Sequence, residues 1–470
     1  MKKELIYDYK DYWRLGFHLM PPEGWLNDPN GLCWFQDYYH VFFQYSPDDP
    51  AGGIKHWGHY RSRDLLEWEY MGIALSPEEP YDRDGVYSGS AIVNDQGMHL
   101  FYTGNVKMAG DFDFITEGRQ SNTIHVQSKD GLIFSEKRCI LNHDDYPKHM
   151  TCHIRDPKIW IEDRGHIKAY YMILGARNVN NQGEALIYKS ENLFDWFFVG
   201  EVMSPEELGF MWECPDVFEV NGTKVLCISP QGIKALEFDY QNVYQSGYFA
   251  YEGNLTGIYN LGRFKEWDRG FDFYAPQTFE DGKGRRILIG WMGAADTPQH
   301  ENPTIAMGWQ HALTIPREIT VTGGQLRQVP IEELKKLRHK KIELDQYGNM
   351  QLYPAYEAVI ENHGNADLRI MFSETFQARY DAENHIFSIL FTNGADGDGK
   401  GRGSRRFRLA DCRKAHIFVD TSSVEIFLND GEEVFTTRFY PQAGKSNLSV
   451  LGDRYHMDIW ELSKMKITEF

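Results

Sequence analysis

Cysteine is scarce: six in 470 residues, at positions 33, 139, 152, 214, 227 and 412, with no C-x-x-C pair and no dense spacing. That excludes a disulfide-stapled secreted scaffold and points to a reducing compartment, the cytoplasm. Long apolar runs are missing too. Stretches such as 169–176 fall far short of the ~20 residues a spanning helix needs. The opening octapeptide Met1-Lys2-Lys3-Glu4-Leu5-Ile6-Tyr7-Asp8 has no apolar h-region, so no secretory leader is read there. Basic charge is in deficit, with 49 Lys and Arg against 68 Asp and Glu and a formal net charge of −19. An acidic surface repels phosphate backbones and anionic lipid, which removes nucleic acid and membranes as expected partners. Sustained helical periodicity is almost absent.

What is present is aromatic and glycine-rich: 12 Trp, 27 Tyr, 29 Phe and 43 Gly in a chain long enough for two or more domains. Aromatics favour strands and glycine marks tight turns, so the chain reads as all-β. Self-similarity sharpens this. Ser62-Arg63-Asp64-Leu65-Leu66-Glu67-Trp68 is echoed by Ser128-Lys129-Asp130-Gly131-Leu132-Ile133-Phe134 and Ser190-Glu191-Asn192-Leu193-Phe194-Asp195-Trp196, at spacings of 66 and 62 residues. A second pattern shares the period. Anchors at Asp28, Ser88, Asp156, Glu213 and Tyr274 each precede a short apolar run, a turn (the third at Glu162–Gly165) and a second strand-like run. Pro29, Pro157, Pro215 and Pro276 follow four anchors by one or two residues, and Gly89 follows the other. Proline is tolerated at strand starts and sheet edges, where no ladder donor is needed. Five such units predict a five-bladed β-propeller over 1–330, its anchors ringing one funnel. A short helical linker is expected over 331–340, from the Ile331, Leu334, Leu337 spacing after Pro330. Strand-like runs from Ala366 to Tyr440 and the turn Asn429-Asp430-Gly431 then predict a β-sandwich over 341–470. The loop from Asn393 to Gly399 lacks the terminal Glu of a calcium loop and reads as a flexible hairpin tip.

Three anchors are acids: Asp28, Asp156 and Glu213. Carboxylates are costly to crowd, so their convergence implies a reaction or a cation. No H-E-x-x-H or comparable His pattern accompanies them, so neither a metal nor another cofactor is expected. Crowded carboxylates suit glycoside cleavage, one ionised as nucleophile and one protonated as acid.

Trp25-Leu26-Asn27-Asp28-Pro29-Asn30-Gly31, Arg155-Asp156-Pro157 and Trp212-Glu213-Cys214-Pro215-Asp216 resemble the three signature motifs of glycoside hydrolase family 32, the β-fructofuranosidases. His56-Trp57-Gly58-His59-Tyr60, Tyr87-Ser88-Gly89-Ser90 and Phe271-Asp272-Phe273-Tyr274-Ala275-Pro276-Gln277 resemble its intracellular bacterial sucrose-6-phosphate hydrolase branch. The resemblance implies Asp28 as nucleophile on the anomeric carbon of a terminal fructosyl unit. It implies Glu213 as general acid and then base, and Asp156 as stabiliser of the oxocarbenium-like transition state. Retention with a carboxyl separation of about 5–5.5 Å is expected, with a raised Glu213 pKa and Arg155 paired to one acid. Trp25, Asn27, Gln44, Tyr87, Ser88 and Arg155 are candidates for substrate binding, with Trp57, Tyr274 and Trp291 as apolar walls. Core packing is the alternative for each tryptophan; Trp68 and Trp196, inside the repeat, are read as core. Cys214 is given no catalytic role.

The expected substrate is a small fructoside, sucrose 6-phosphate or sucrose. A phosphorylated one requires a local basic pocket in an acidic protein, for which Lys55, His56, Arg61 and Arg177 are the sources considered. A fructo-oligosaccharide exo-hydrolase, an inverting arabinan-type propeller hydrolase and a non-catalytic sugar-binding propeller remain as alternatives.

Overall fold

Each anchor lies in the first strand of its own antiparallel sheet. These strands are β1 (Gly24–Phe35), β2 (Val86–Asn94), β3 (Met150–Asp163), β4 (Met211–Val220) and β5 (Tyr274–Glu280). They come from a computed structural model that describes residues 11–163, 168–297, 301–343, 350–351, 355–442 and 447–469. The opening octapeptide, and Arg164 and Gly165 of the third expected turn, lie outside the described residues. The remaining strands of each sheet meander outward from its first strand. The first strands pack side by side in cyclic order, β5 returning to β1, so the sheets are the blades of a five-bladed propeller. Second strands lie between neighbouring blades, which is why a strand such as Gly97–Lys107 is buried at every position but its last. Trp309–Gln310 adds to β1 in parallel, and Lys466–Glu469 pairs in parallel with Glu67–Tyr70 on the outer edge of the first blade.

The prolines have a structural reason. Every first strand carries a two-against-one bulge at its anchor: Asn27-Asp28, Tyr87-Ser88, Asp156-Pro157, Cys214-Pro215 and Ala275-Pro276 are the unpaired residues. Pro157, Pro215 and Pro276 therefore cost the ladder no donor. The residues before them, Asp156, Cys214 and Ala275, have φ of 63°, 46° and 49°, left-handed conformations that non-glycine residues seldom hold. Gly89 cannot be replaced by a larger residue, because a Cβ there would lie 1.9 Å from the Phe101 carbonyl oxygen.

Just past each bulge stands a buried polar residue: Asn30, Ser90, Lys158, Asp216 and Gln277. They bond across blades. Asn30 Oδ1 accepts from Gly89 N at 3.0 Å, Ser90 Oγ donates to the Pro157 carbonyl at 2.7 Å, and Gln277 Nε2 donates to the Gly89 carbonyl at 3.0 Å. Lys158 Nζ donates to the Thr278 carbonyl at 2.6 Å and pairs with Asp216 at 3.1 Å. The axis of the propeller is thus crossed by a bonded polar floor, with the anchors on one side of it.

The first repeat is one turn used three times between third and fourth strands. Ser62 Oγ accepts from Leu65 N, and Asp64 Oδ1 from Leu66 N and Glu67 N; Ser128 with Asp130 and Ser190 with Asn192 repeat the arrangement. Leu65, Gly131 and Leu193 take the left-handed position in each turn. Trp68 and Trp196 are buried and donate their indole N–H to the carbonyls of Leu65 and Leu193.

Beyond the propeller, two six-stranded sheets face one another across an apolar core that includes Tyr356, Ile370, Phe387, Ile417 and Phe435, forming the expected β-sandwich. Two local readings need correction. The helical stretch is a 3-10 turn, Glu332–Leu337, and Arg338–Ile342 is already a strand of the sandwich. Six residues suffice to turn the chain from one domain into the other. The loop after Asn393 does join two hairpin strands, but it is no free tip. Arg402 at its end is buried against Asp272 of the propeller, with 2.7 and 2.8 Å bonds. Further buried ion pairs clamp the domains: Arg317 to Glu425 at 2.6 Å, Arg269 to Glu433 at 2.7 Å, and His18 between Asp420 and Glu425.

Candidate active site

Because the bulges twist the first strands at one end of the ring, their anchors meet in a single cup. Cys214 marks the meeting point. Its Sγ lies 3.7 Å from Asp28 Oδ2 and 3.6 Å from Asp156 Oδ2, and its backbone N–H donates to Asp156 Oδ2 at 2.9 Å. Glu213 is its chain neighbour. Acids drawn from three blades and spread from 28 to 213 thus surround one residue.

Each acid is held differently. Asp28 Oδ2 accepts from Ser88 Oγ at 2.5 Å and Oδ1 from Asn27 Nδ2 at 3.0 Å. Asn27 is itself fixed by Gln44 and by the Trp25 indole, and Gln44 also donates to Ser88. Burial pushes the Asp28 carboxyl up, while Ser88, Asn27 and the Lys55 ammonium draw it back down. Glu213 Oε2 accepts both the Tyr274 hydroxyl at 2.7 Å and Gln231 Nε2 at 2.9 Å, which leaves Oε1 facing Arg155 Nη1 at 3.5 Å. Burial raises the Glu213 pKa. The Asp28 charge adds to this, and Arg155, Tyr274 and Gln231 oppose it. The acid that Arg155 meets is therefore Glu213, where it tempers the rise instead of holding a nucleophile ionised. Asp156 is pushed up to about 7 by burial and then by the charge of Glu213, against Arg155.

That shift has a sign for stability. A carboxyl whose folded pKa is raised stabilises the fold most below its unfolded value near 3.8, and the contribution is lost as pH rises toward 7. Asp156→Asn, which cannot ionise, is expected to gain thermal stability over the parent as pH goes from about 4 to 7, while losing turnover. Paired melting curves across that range check it.

The aromatic expectations divide. Trp25, Tyr274 and Trp291 do gather at the cup, with ring centroids 6.0 Å apart for Trp25–Trp291 and 6.3 Å for Tyr274–Trp291. Trp57 is buried beside the second bulge, packs against Phe42 and Tyr102, and donates its indole N–H to the Tyr87 carbonyl at 3.0 Å. It fixes the backbone of the second bulge from below. Among the phosphate sources considered, Arg61 is spent on Glu69 at 2.7 Å and His56 bonds Ser76 at 3.1 Å. Lys55 lies 4.8 Å over the Trp25 ring and is lowered to about 8, first by burial.

The sequence reading missed several neighbours. Gln231 holds Glu213, Thr103 Oγ1 accepts from Asp156 N at 2.9 Å, and His311 stands edge-on to both Trp25 and Trp291. Thr103 and Gln44 each oppose a bulge from the second strand of a blade, so extending the repeat to second strands would have flagged Thr103.

A family model for the N-terminal domain of the glycosyl hydrolases of family 32 matches residues 18–330, and a model for the family's C-terminal domain matches 348–468. The chain belongs to glycosyl hydrolase family 32. It is 40% identical over 482 aligned residues to a sucrose-6-phosphate hydrolase of Bacillus subtilis, covering 98% of this chain and 96% of the relative. It is 36% identical to a raffinose invertase of Escherichia coli, covering 93% and 92%. Among solved structures, the sucrose-6-phosphate hydrolase of Lactobacillus gasseri superposes with a TM-score of 0.87 at 28% identity, over 97% of this chain and 94% of that one. A mutant of the Bombyx mori family 32 β-fructofuranosidase in complex with sucrose gives 0.83 at 28% identity, over 97% and 95%. All six cysteines of this family 32 chain are free, and among the described residues no helix is long and apolar enough to cross a membrane.

Proposed function

We propose that this family 32 enzyme releases terminal β-D-fructofuranosyl units from sucrose 6-phosphate and sucrose by double displacement, acting in the cytoplasm. The observation that carries the mechanism is the meeting of Asp28, Asp156 and Glu213 around Cys214, each carboxyl held by a different set of donors.

Asp28 is the nucleophile. Its oxygens are oriented by Ser88 and Asn27, and the Lys55 charge favours the ionised form. Attack forms a bond from the carboxylate to the anomeric carbon as the bond to the leaving oxygen breaks, and the Glu213 proton passes to that oxygen. Both donors to Glu213 occupy Oε2, so the mobile proton belongs on Oε1. The deprotonated Glu213 then takes a proton from water, whose oxygen attacks the anomeric carbon and releases Asp28; configuration is retained overall. Asp156, locked by the Cys214 and Thr103 bonds, meets fructose hydroxyls and the positive charge of the transition state. Trp25, Asn27, Gln44, Tyr87, Ser88 and Arg155 line the sugar site, with Tyr274 and Trp291 against its apolar face.

The test is kcat/KM for sucrose 6-phosphate, sucrose and kestose on one preparation. The reading expects the two disaccharides to be preferred and the first-formed fructose to be the β anomer. A strong preference for kestose would replace the disaccharides with fructo-oligosaccharide as substrate.

A further inference from the structure

Besides Lys55, which acts on Asp28, a second group of cationic side chains gathers around Arg155, the partner of Glu213. Arg119 opens the third strand of the second blade (Arg119–Ser128), and Arg177 stands near the end of the second strand of the third blade (Lys168–Asn178). His153 and Arg155 lie two residues apart on β3, and all four residues share the anchor end of the propeller. Arg155 Nη2 donates to His153 Nδ1 at 2.5 Å, and His153 Nε2 donates to the Phe114 carbonyl at 3.1 Å, which assigns the neutral tautomer. Arg119 Nη1 then meets, at 3.5 Å, a ring nitrogen whose hydrogen is already placed. The Nε atoms of Arg119 and Arg155 are buried and have no hydrogen-bond partner.

Glu213 and Asp156 act on Arg155, but among the described residues the other two guanidinium groups have no acid partner of their own. Among the described residues neither Arg119 nor Arg177 forms an ion pair with a carboxylate; Arg177 bonds Asn181 Oδ1 and lies 4.6 Å over the Phe210 ring. Asp113, whose charge Arg177 feels, is turned to its own loop, accepting from Ile115, Thr116 and Glu117. Arg155 has Glu213 at a loose 3.5 Å. Burial, then the charges of Arg155, Arg119 and Arg177, hold the His153 pKa down at about 2. Three guanidinium groups around one neutral imidazole, in a protein of net charge −19, are costly unless an anion joins them.

We infer that Arg119, with His153, Arg155 and Arg177 around it, holds the phosphate of a phosphorylated leaving sugar and makes the enzyme select it over the uncharged disaccharide. The inference rests on the β-fructofuranosidase reading above. The direction follows from Glu213: its Oε1 gives its proton to the leaving oxygen and faces Arg155, so the cationic group lies on the departing sugar's side. Guanidinium forks match phosphate oxygens two at a time, and Arg119, Arg155 and Arg177 are each only partly buried, so part of each side chain is open to an incoming anion.

The experiment measures kcat/KM for sucrose 6-phosphate and sucrose with the parent enzyme, Arg119→Gln, Arg119→Lys and Arg177→Gln. In the parent the phosphorylated substrate is preferred. In Arg119→Gln the ratio of the two constants falls by about 10- to 100-fold, mostly through KM for the phosphorylated substrate. Arg119→Lys keeps part of the ratio because it keeps the charge and loses the fork. Glucose 6-phosphate inhibits the parent more strongly than glucose does, and Arg119→Gln narrows that gap. Turnover of sucrose reports whether each variant is folded, and Arg177→Gln, nearer the rim, gives a second reading. A ratio near one in the parent, or one unmoved in both Gln variants, overturns the inference and leaves the hydrolase standing. No fructose from either substrate with the parent overturns the hydrolase reading itself.

Discussion

Fructose release by Asp28→Ala is expected to fall by roughly five orders of magnitude in kcat, with KM for sucrose changing by no more than a few-fold. The large figure follows from what no neighbour can replace. Asp28 is the carboxyl with one oxygen held by Ser88 and the other by Asn27. Asp156 is the nearest substitute through Cys214, but its Oδ2 accepts the Cys214 N–H and its backbone is held in a left-handed conformation at the bulge. It cannot swing to the same face of the sugar without breaking both. Truncation removes no buried ion pair, so the variant is expected to fold as the parent does, which circular dichroism checks. Turnover within tenfold of the parent would take Asp28 out of the mechanism.

Glu213→Gln is expected to lower kcat by about 10²- to 10⁴-fold, the range for a general acid and base, and to remove the basic limb of the pH–rate profile. The sign is fixed by the working form. In the first step Glu213 acts protonated, so the parent loses rate as pH rises through its pKa. Burial, with the Asp28 charge behind it, places that limb above the ordinary carboxylate range. Glutamine keeps the Tyr274 and Gln231 contacts in shape but has no proton to lose, so the limb flattens. The acid limb reports Asp28 protonation and remains in Glu213→Gln. A basic limb that survives the substitution would place the acid elsewhere.

The phase of the prolines carried most of what the sequence could say. It located the five first strands because each carries a bulge at its anchor: Pro157, Pro215 and Pro276 fill unpaired bulge positions, and Pro29 and Gly89 follow the bulge directly. The three acids came with it. Side-chain direction was less legible. Trp57 sits in a motif beside Gly58, and nothing in the local letters says that its indole bonds the Tyr87 carbonyl of the neighbouring blade. Gln231 and Thr103 come from second strands, Gln231 reaching Glu213 within one blade and Thr103 reaching Asp156 across two, so neither bond is written in a local motif. The encounter of Arg119 with His153 joins two blades across 34 residues of chain and is a property of the ring alone. In the C-terminal domain, Tyr356–Asn362 and Tyr455–Leu462 escaped notice, although both lie in the middle of the sheet nearest the propeller clamp.

The polar floor made by Asn30, Ser90, Lys158, Asp216 and Gln277 decides how a polymer could be handled. Beneath it the axis opens again into a cavity of about 850 Å³ bounded by Leu32, Ile92, Trp160, Phe218 and Phe279, but no strand of sugar can thread from one space to the other. The cup is therefore blind, and a sugar that enters it leaves by the same mouth. Opening the barrier at Lys158 would sacrifice its bonds to Asp216 and Thr278, so the dead end is maintained by the same contacts that hold neighbouring blades together.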